Sequence, residues 1–226
     1  YCIYAYYRGQ PLVEQEHQLT SYLQELMRWK QNTTVNWLRI YQQTVLSLLQ
    51  IVPPSGSVTN LSTESKRLLE VFQQANDLYA LCHFYTNRLS LCYLFHEISQ
   101  ALENANSAKS YLASAVGHAI LAFFNFYDSL AHLATYSDSH SAKRDEILQQ
   151  VSINQEKMTQ WAQHAPMNFQ HKYDLVEAEK ARVLGQKWEA AEYYEKAIIG
   201  AKENEYLQEE ALAYELAAKF YLAQGM

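Results

Sequence analysis

Glycine and proline are scarce, six and four among 226 residues, too few to supply the tight turns of a many-stranded sheet. A β-sandwich or barrel is thereby excluded. The glycines, at positions 9, 56, 117, 185, 200 and 225, stand alone. None opens the G-x-G or G-x-x-x-x-G-K pattern whose backbone amides cradle a phosphate, which removes the Rossmann and P-loop enzymes. Cysteine is limited to Cys2, Cys82 and Cys92. They are odd in number, lie in apolar surroundings and form no C-x-x-C, so they read as reduced core residues of a cytoplasmic protein rather than as zinc ligands. Basic residues are outnumbered, 18 Lys and Arg against 24 Asp and Glu for a net charge of −6, which argues against nucleic acid as a partner. Long apolar runs are missing too. The most apolar stretch, 111–136, is broken by His118, Asn125, Asp128 and His132, and no membrane span is expected. The eight histidines form no H-E-x-x-H, so neither a metal nor a cofactor is expected.

What the chain does have is helical periodicity. Apolar residues recur at helix spacing in nearly every window, most clearly at Tyr214, Ala217, Ala218 and Tyr221, whose offsets of three, four and seven place them on one face. Helices are expected over 12–30, 34–51, 63–75, 77–95, 97–113, 115–136, 142–164, 167–184, 188–203 and 206–224. Breaks fall at Pro53-Pro54-Ser55-Gly56-Ser57, at 137–141 and at Ala165-Pro166, where proline suits the first position of a helix. The opening run, 1–9, reads like the end of a helix already under way. The chain therefore reads as a piece of something larger.

The expected fold is all-α, a tetratricopeptide-like solenoid of antiparallel helix pairs, because the chain repeats itself. Gly185, Ala190, Tyr194 and Ala197 supply a turn glycine, a small residue five positions on, an aromatic four later and an alanine three after that, with Ala178 and Ala181 at the small sites of the preceding helix. Forty residues on, Tyr214, Ala217, Ala218, Tyr221 and Gly225 repeat the first half of the motif. A weaker copy runs through Tyr85, Leu89, Cys92, Ile98, Ala101, Ala105 and Ala108, with His96 where the glycine would be. The whole of 1–226 is read as one helical-repeat domain, with a soft break at 53–61 and the clearest repeats over 167–226.

Several runs carry a resemblance: Phe126-Tyr127-Asp128-Ser129-Leu130-Ala131, Asn154-Gln155-Glu156-Lys157-Met158, His164-Ala165-Pro166-Met167-Asn168-Phe169-Gln170-His171-Lys172, Val176-Glu177-Ala178-Glu179, and 209–220. Together they resemble the helical segment of large cyanobacterial multi-domain signalling kinases, densest from 78 to 226. The resemblance implies a regulatory region between an ATPase module and sensor domains of the GAF type. It brings no catalytic residue, since neither a kinase Gly-rich loop nor H-R-D or D-F-G occurs. The expectation is a non-enzymatic interaction scaffold whose partner is a protein or peptide, in particular flanking domains of the same chain.

The repeat motif assigns Lys172, Leu175, Glu179, Arg182, Leu212, Glu215 and Lys219 to the concave, partner-facing side. A second reading is a small-molecule or anion sensor. For it, Asn168, His171 and Lys172 gather at one helix start, where free amides favour an anion, and Asp128 sits in an apolar run that would raise its pKa. The 18 tyrosines read as packing residues, because a nucleic-acid stacking surface would interleave them with cations. The last expected helix, 206–224, carries more apolar surface than one neighbour can cover, so self-association through it is expected.

Overall fold

The computed structural model describes residues 2–49 and 62–225, and helix is the only regular structure among them. In chain order the helices are α1 (Cys2–Tyr7), α2 (Leu12–Arg28), α3 (Asn32–Leu49), α4 (Thr63–Gln74), α5 (Leu78–Leu94), α6 (Ile98–Lys109), α7 (Ile120–Ala134), α8 (Ser141–His164), α9 (Pro166–Val183), α10 (Lys187–Glu203) and α11 (Leu207–Ala223). The all-α expectation holds, and each of the ten expected segments overlaps one of these helices, with described starts within about five residues. The largest departure lies between α6 and α7. There a 3₁₀ turn, Leu112–Ala115, and the left-handed Gly117 at φ +85° interrupt what the apolar pattern alone reads as nearly continuous helix. The proline-rich break at 53–57 and the soft boundary at 53–61 lie outside the described residues.

The chain divides into two compact units, Tyr1–Phe124 and Asn125–Met226, and the division falls inside α7. In the first unit α5 is central. It is buried on nearly every side and packs against α3, α4 and α6, covering among others Leu81, Cys82, Phe84, Leu89 and Cys92. A helix hydrophobic all round belongs in a core, not on a surface. Ala101, Ala105 and Ala108 make the α6 face small enough to lie close to α5. Cys2, Cys82 and Cys92 are free thiols, and burial pushes Cys82 and Cys92 up to about 11.

In the second unit α9 packs against α8, α10 and α11. Small residues again set the approach: Ala178 and Ala181 on α9, and Ala190, Ala197 and Ala201 on α10, are all buried. Gly200 belongs to the same contact, for a Cβ there would stand 3.3 Å from Cβ of His171.

One turn recurs. At Gly9, Lys30, Asn76, His96, Gly185 and Glu205 the backbone enters the left-handed region, φ between 50° and 76°. At each, two bonds close back onto the helix that has just ended; at Gly185 these run from its own N–H to the Arg182 carbonyl and from the Gln186 N–H to the Ala181 carbonyl, 3.1 and 2.9 Å. This is the Schellman geometry, which satisfies carbonyls a helix end otherwise leaves open. Five of the six join consecutive helices through three residues: α2 to α3, α4 to α5, α5 to α6, α9 to α10 and α10 to α11. His96, standing where the motif wants glycine, adopts the same backbone.

Gly185 stands at φ +76°, and nothing lies within 4 Å of a Cβ built there. The cost of a side chain is therefore backbone strain alone. Gly185→Val should lose about 1 to 2 kcal/mol, whereas Lys30→Gly, which relieves a side chain from the same conformation, should gain about 1 kcal/mol. Urea melts measure both, and a Gly185→Val melt overlying that of the parent would contradict the turn geometry.

Candidate functional site

The polar residues singled out from sequence lie in the second unit, where most of them fall in three clusters that turn inward. The first gathers at the start of α9. Lys172 and His171 are buried, and the Lys172 Nζ stands 3.1 Å from Oε1 of Glu209, a buried carboxylate in the first turn of α11. The same ammonium donates to His171 Nε2 at 2.9 Å and to the Asn168 carbonyl at 3.4 Å, and sits 4.1 Å above the Tyr206 ring. The Tyr206 hydroxyl donates to Oδ1 of Asn168 at 2.9 Å. Sequence offers this cation to an external anion; the fold gives it Glu209. Burial lowers the pKa of Lys172 and Glu209 opposes that shift, while burial, and secondarily Lys172, hold His171 down to about 2. His171 is thus a neutral acceptor toward Lys172 at Nε2, with its proton on Nδ1.

The second cluster surrounds Asp128, fully buried on α7. Asn154 of α8 donates to Asp128 Oδ2 at 2.8 Å and to Ser129 Oγ at 3.1 Å. His132, one turn on, brings Nδ1 to 3.3 Å from Asp128 Oδ1. An aspartate, a histidine and a serine are therefore neighbours, but the Ser129 hydroxyl donates to the Asn125 carbonyl in its own helix. The hydroxyl is thus engaged with the backbone of its own helix and with Asn154 of α8.

The third ties α9 to α10. Arg182 makes a two-pronged contact with Glu179 at 3.0 and 2.7 Å, and the buried Tyr194 hydroxyl also donates to that carboxylate. Glu179 is consequently spent inside the unit. Of the seven residues assigned to a partner-facing side, Lys172, Leu175, Glu179 and Leu212 are buried, Arg182 is half-buried, and Glu215 and Lys219 form an exposed pair with one another. The reason is that α10 and α11 both pack on α9, meeting Glu179 and Lys172 respectively and covering what the motif alone leaves open to solvent.

A further network, in the first unit, has no counterpart in the sequence reading. The hydroxyls of Tyr7 and Tyr41 are 2.8 Å apart, and Tyr41 also bonds Nδ1 of the buried His83. Burial raises both phenols far above their ordinary range and lowers His83 to about 4. All three are neutral at pH 7, so Tyr41 passes one hydroxyl hydrogen bond along a chain that links Tyr7 to the His83 imidazole. These residues are 34 and 42 positions apart, and no local pattern connects them.

Among the described residues no group of three His, Cys, Asp or Glu side chains is arranged to hold a metal ion, and no helix is long and apolar enough to cross a membrane. Compared with known protein families, curated proteins and solved structures, the chain matches none.

Removing one member of a buried ion pair strands the other charge, at a cost of about 3 to 5 kcal/mol. Lys172→Met or Glu209→Gln alone should destabilise by that order, and the double variant Lys172→Met/Glu209→Leu should recover most of the loss. Additive losses in a double-mutant cycle would mean that the two groups do not interact.

Acid exposes the buried histidines. An unfolded imidazole takes up a proton near pH 6.5, which folded His83 refuses until about 4 and folded His171 until about 2. The stability these folded imidazoles provide is complete above pH 6.5 and is lost as pH falls toward those values, by up to about 1.4 kcal/mol per pH unit for each histidine. Denaturant melts between pH 7 and pH 4 should show the fall, and His171→Gln should flatten the part due to that residue.

Proposed function

We propose that the chain is a non-catalytic, cytoplasmic interaction scaffold, a tetratricopeptide-like stack of antiparallel helix pairs, and that α11 is its docking helix. The repeated three-residue turn and the alanine-lined approach of α9 to α10 support the repeat reading. The resemblance to cyanobacterial signalling kinases supports a regulatory role, docking between ATPase and sensor modules of a larger protein.

The observation that carries the proposal is the bare face of α11. Leu207, Ala211, Tyr214, Ala218 and Tyr221, spaced four, three, four and three apart, form a stripe about 21 Å long. All five are exposed, Leu207 by 57% and Tyr214 by 51%, and Leu222 beside them by 74%. Forty residues earlier the same register on α9 is Met167, His171, Asp174, Ala178 and Ala181, and the last four are buried. The α10 helix packs on α9 and brings Gly200 against His171. An α11 stripe with no such cover is a surface for another helix.

In a solution of this chain alone, that helix is α11 of a second copy. The stripe alternates large and small residues. Two copies laid antiparallel set Tyr214 against Ala218 and Tyr221 against Ala211 in both directions, the self-complementarity that a two-fold interface requires. Light scattering across micromolar to millimolar concentration should give a mass that rises toward the dimer. Tyr214→Glu/Leu222→Glu, both at exposed positions, should hold the chain monomeric without altering its melt. A mass that stays monomeric throughout, or association that survives the double variant, would overturn the proposal.

A further inference from the structure

Independently of the scaffold reading, the first unit holds a cleft of about 350 Å³ at the meeting of α2, α3 and α4, within the size range of small-molecule sites. Met27 and Val35 form its apolar part, Asn32 and Asn36 line it from α3, and Arg39 and Arg67 contribute the charge. The arginines are held by one carboxylate. Arg39 Nη1 and Arg67 Nη2 both reach Oε1 of Glu64, at 2.5 and 2.8 Å, and Arg67 Nε reaches Oε2 at 2.9 Å. Asn36 Oδ1 accepts from Arg67 Nη2 at 3.2 Å. Bonds from Arg67 and then Arg39 hold the Glu64 carboxyl down to about 2, so it is ionised throughout the ordinary pH range.

Two guanidiniums sharing one oxygen stand close together and repel each other, and one carboxylate neutralises only half of their charge. No other acidic side chain lines the cleft among the described residues. Arg67 Nη1 and Arg39 Nε bond no protein group among those residues, so each guanidinium keeps donors to offer. The side chains remain 43% and 30% exposed, open to a ligand yet already oriented by Glu64 and Asn36. Little ordering entropy is left to lose on binding. Surface ion pairs of this kind contribute little stability, whereas paired guanidiniums with free donors match the two oxygens of a carboxylate or phosphate.

We infer that this cleft binds a small organic oxyanion, a carboxylate or phosphate monoester with a compact apolar body that lies on Met27 and Val35. Phenyl phosphate and benzoate are suitable probes, with inorganic phosphate and benzyl alcohol isolating the charged and apolar halves. In ¹H–¹⁵N spectra of the full chain, phenyl phosphate, benzoate or both should give saturable shifts confined to residues around 27–39 and 64–67. The stronger of the two identifies the oxyanion. Inorganic phosphate should bind more weakly and benzyl alcohol not at all. Arg39→Gln and Arg67→Gln should each weaken binding roughly tenfold, the worth of one charge-assisted contact, with unchanged melts, while Arg28→Gln, a cation outside the cleft lining, should leave it as it was. No saturable shift with either aromatic anion would overturn the inference. So would binding that survives both cleft variants, or that Arg28→Gln weakens equally.

Discussion

The helices fold back on one another because single residues accept a left-handed backbone. Where glycine stands, as at Gly185, the conformation is nearly free; at Lys30, Asn76, His96 and Glu205 it costs on the order of 1 kcal/mol. Two capping bonds and the contact of the helices they join offset that cost. The three-residue connection also explains why the small residues fall where they do. Helices leaving so short a turn must lie close together, and Ala101, Ala105 and Ala108 on α6, or Ala178 and Ala181 on α9, provide the shallow surface that such proximity requires.

Apolar packing of this kind tolerates sliding, because one alanine contact resembles the next. The buried polar clusters do not. The Lys172 ammonium meets Glu209 at one rotation and height of α11 relative to α9, and Asn154 meets Asp128 at one register of α8 against α7. A slip of one helical turn would leave a desolvated charge or amide without a partner, and that penalty exceeds what the lost apolar contact alone would cost. The Tyr7, Tyr41 and His83 chain has the same character across α1, α3 and α5. Such groups add less to net stability than to the uniqueness of the packing, as their removal in matched pairs would expose.

Much of the fold was legible in sequence because it is written locally. Helix periodicity, the scarcity of glycine and proline, and Pro166 at the first turn of α9 all act within one turn of the chain, and the helix limits follow them closely. The repeat motif located the turn at Gly185, and even at His96, where the residue type argues against it. The sites were far less legible. Lys172 reads as a solvent-facing cation until α11 brings Glu209 to it from 37 positions away, and Asp128 stands in an apolar run that names no partner until α8 supplies Asn154. In each case the deciding partner comes from another helix, and nothing in either local stretch marks it. The division of the chain within α7 is hidden for the same reason, since a helix that continues across it leaves no compositional break.

Both units bury polar groups but leave different ones at the surface, and this bears on what each surface is suited to meet. In the second, Lys172, Glu179 and Glu209 are turned inward and matched with one another or with tyrosine, and the exposed stripe of α11 is made of leucine, alanine and tyrosine, with Glu215 and Lys219 paired to each other beside it. A contact made on that stripe would rest on shape and apolar area and be little affected by salt. In the first unit the unbalanced charge stays outside. Arg39 and Arg67 share Glu64 at the edge of a cleft, where a guanidinium pair is worth little to folding but has directed donors left over. A contact made through them would depend on geometry and weaken with ionic strength. Salt would therefore separate a contact at the α11 stripe from one at the arginine cleft, because the charges beside that stripe, Glu215 and Lys219, neutralise each other whereas Glu64 balances only one of two arginines.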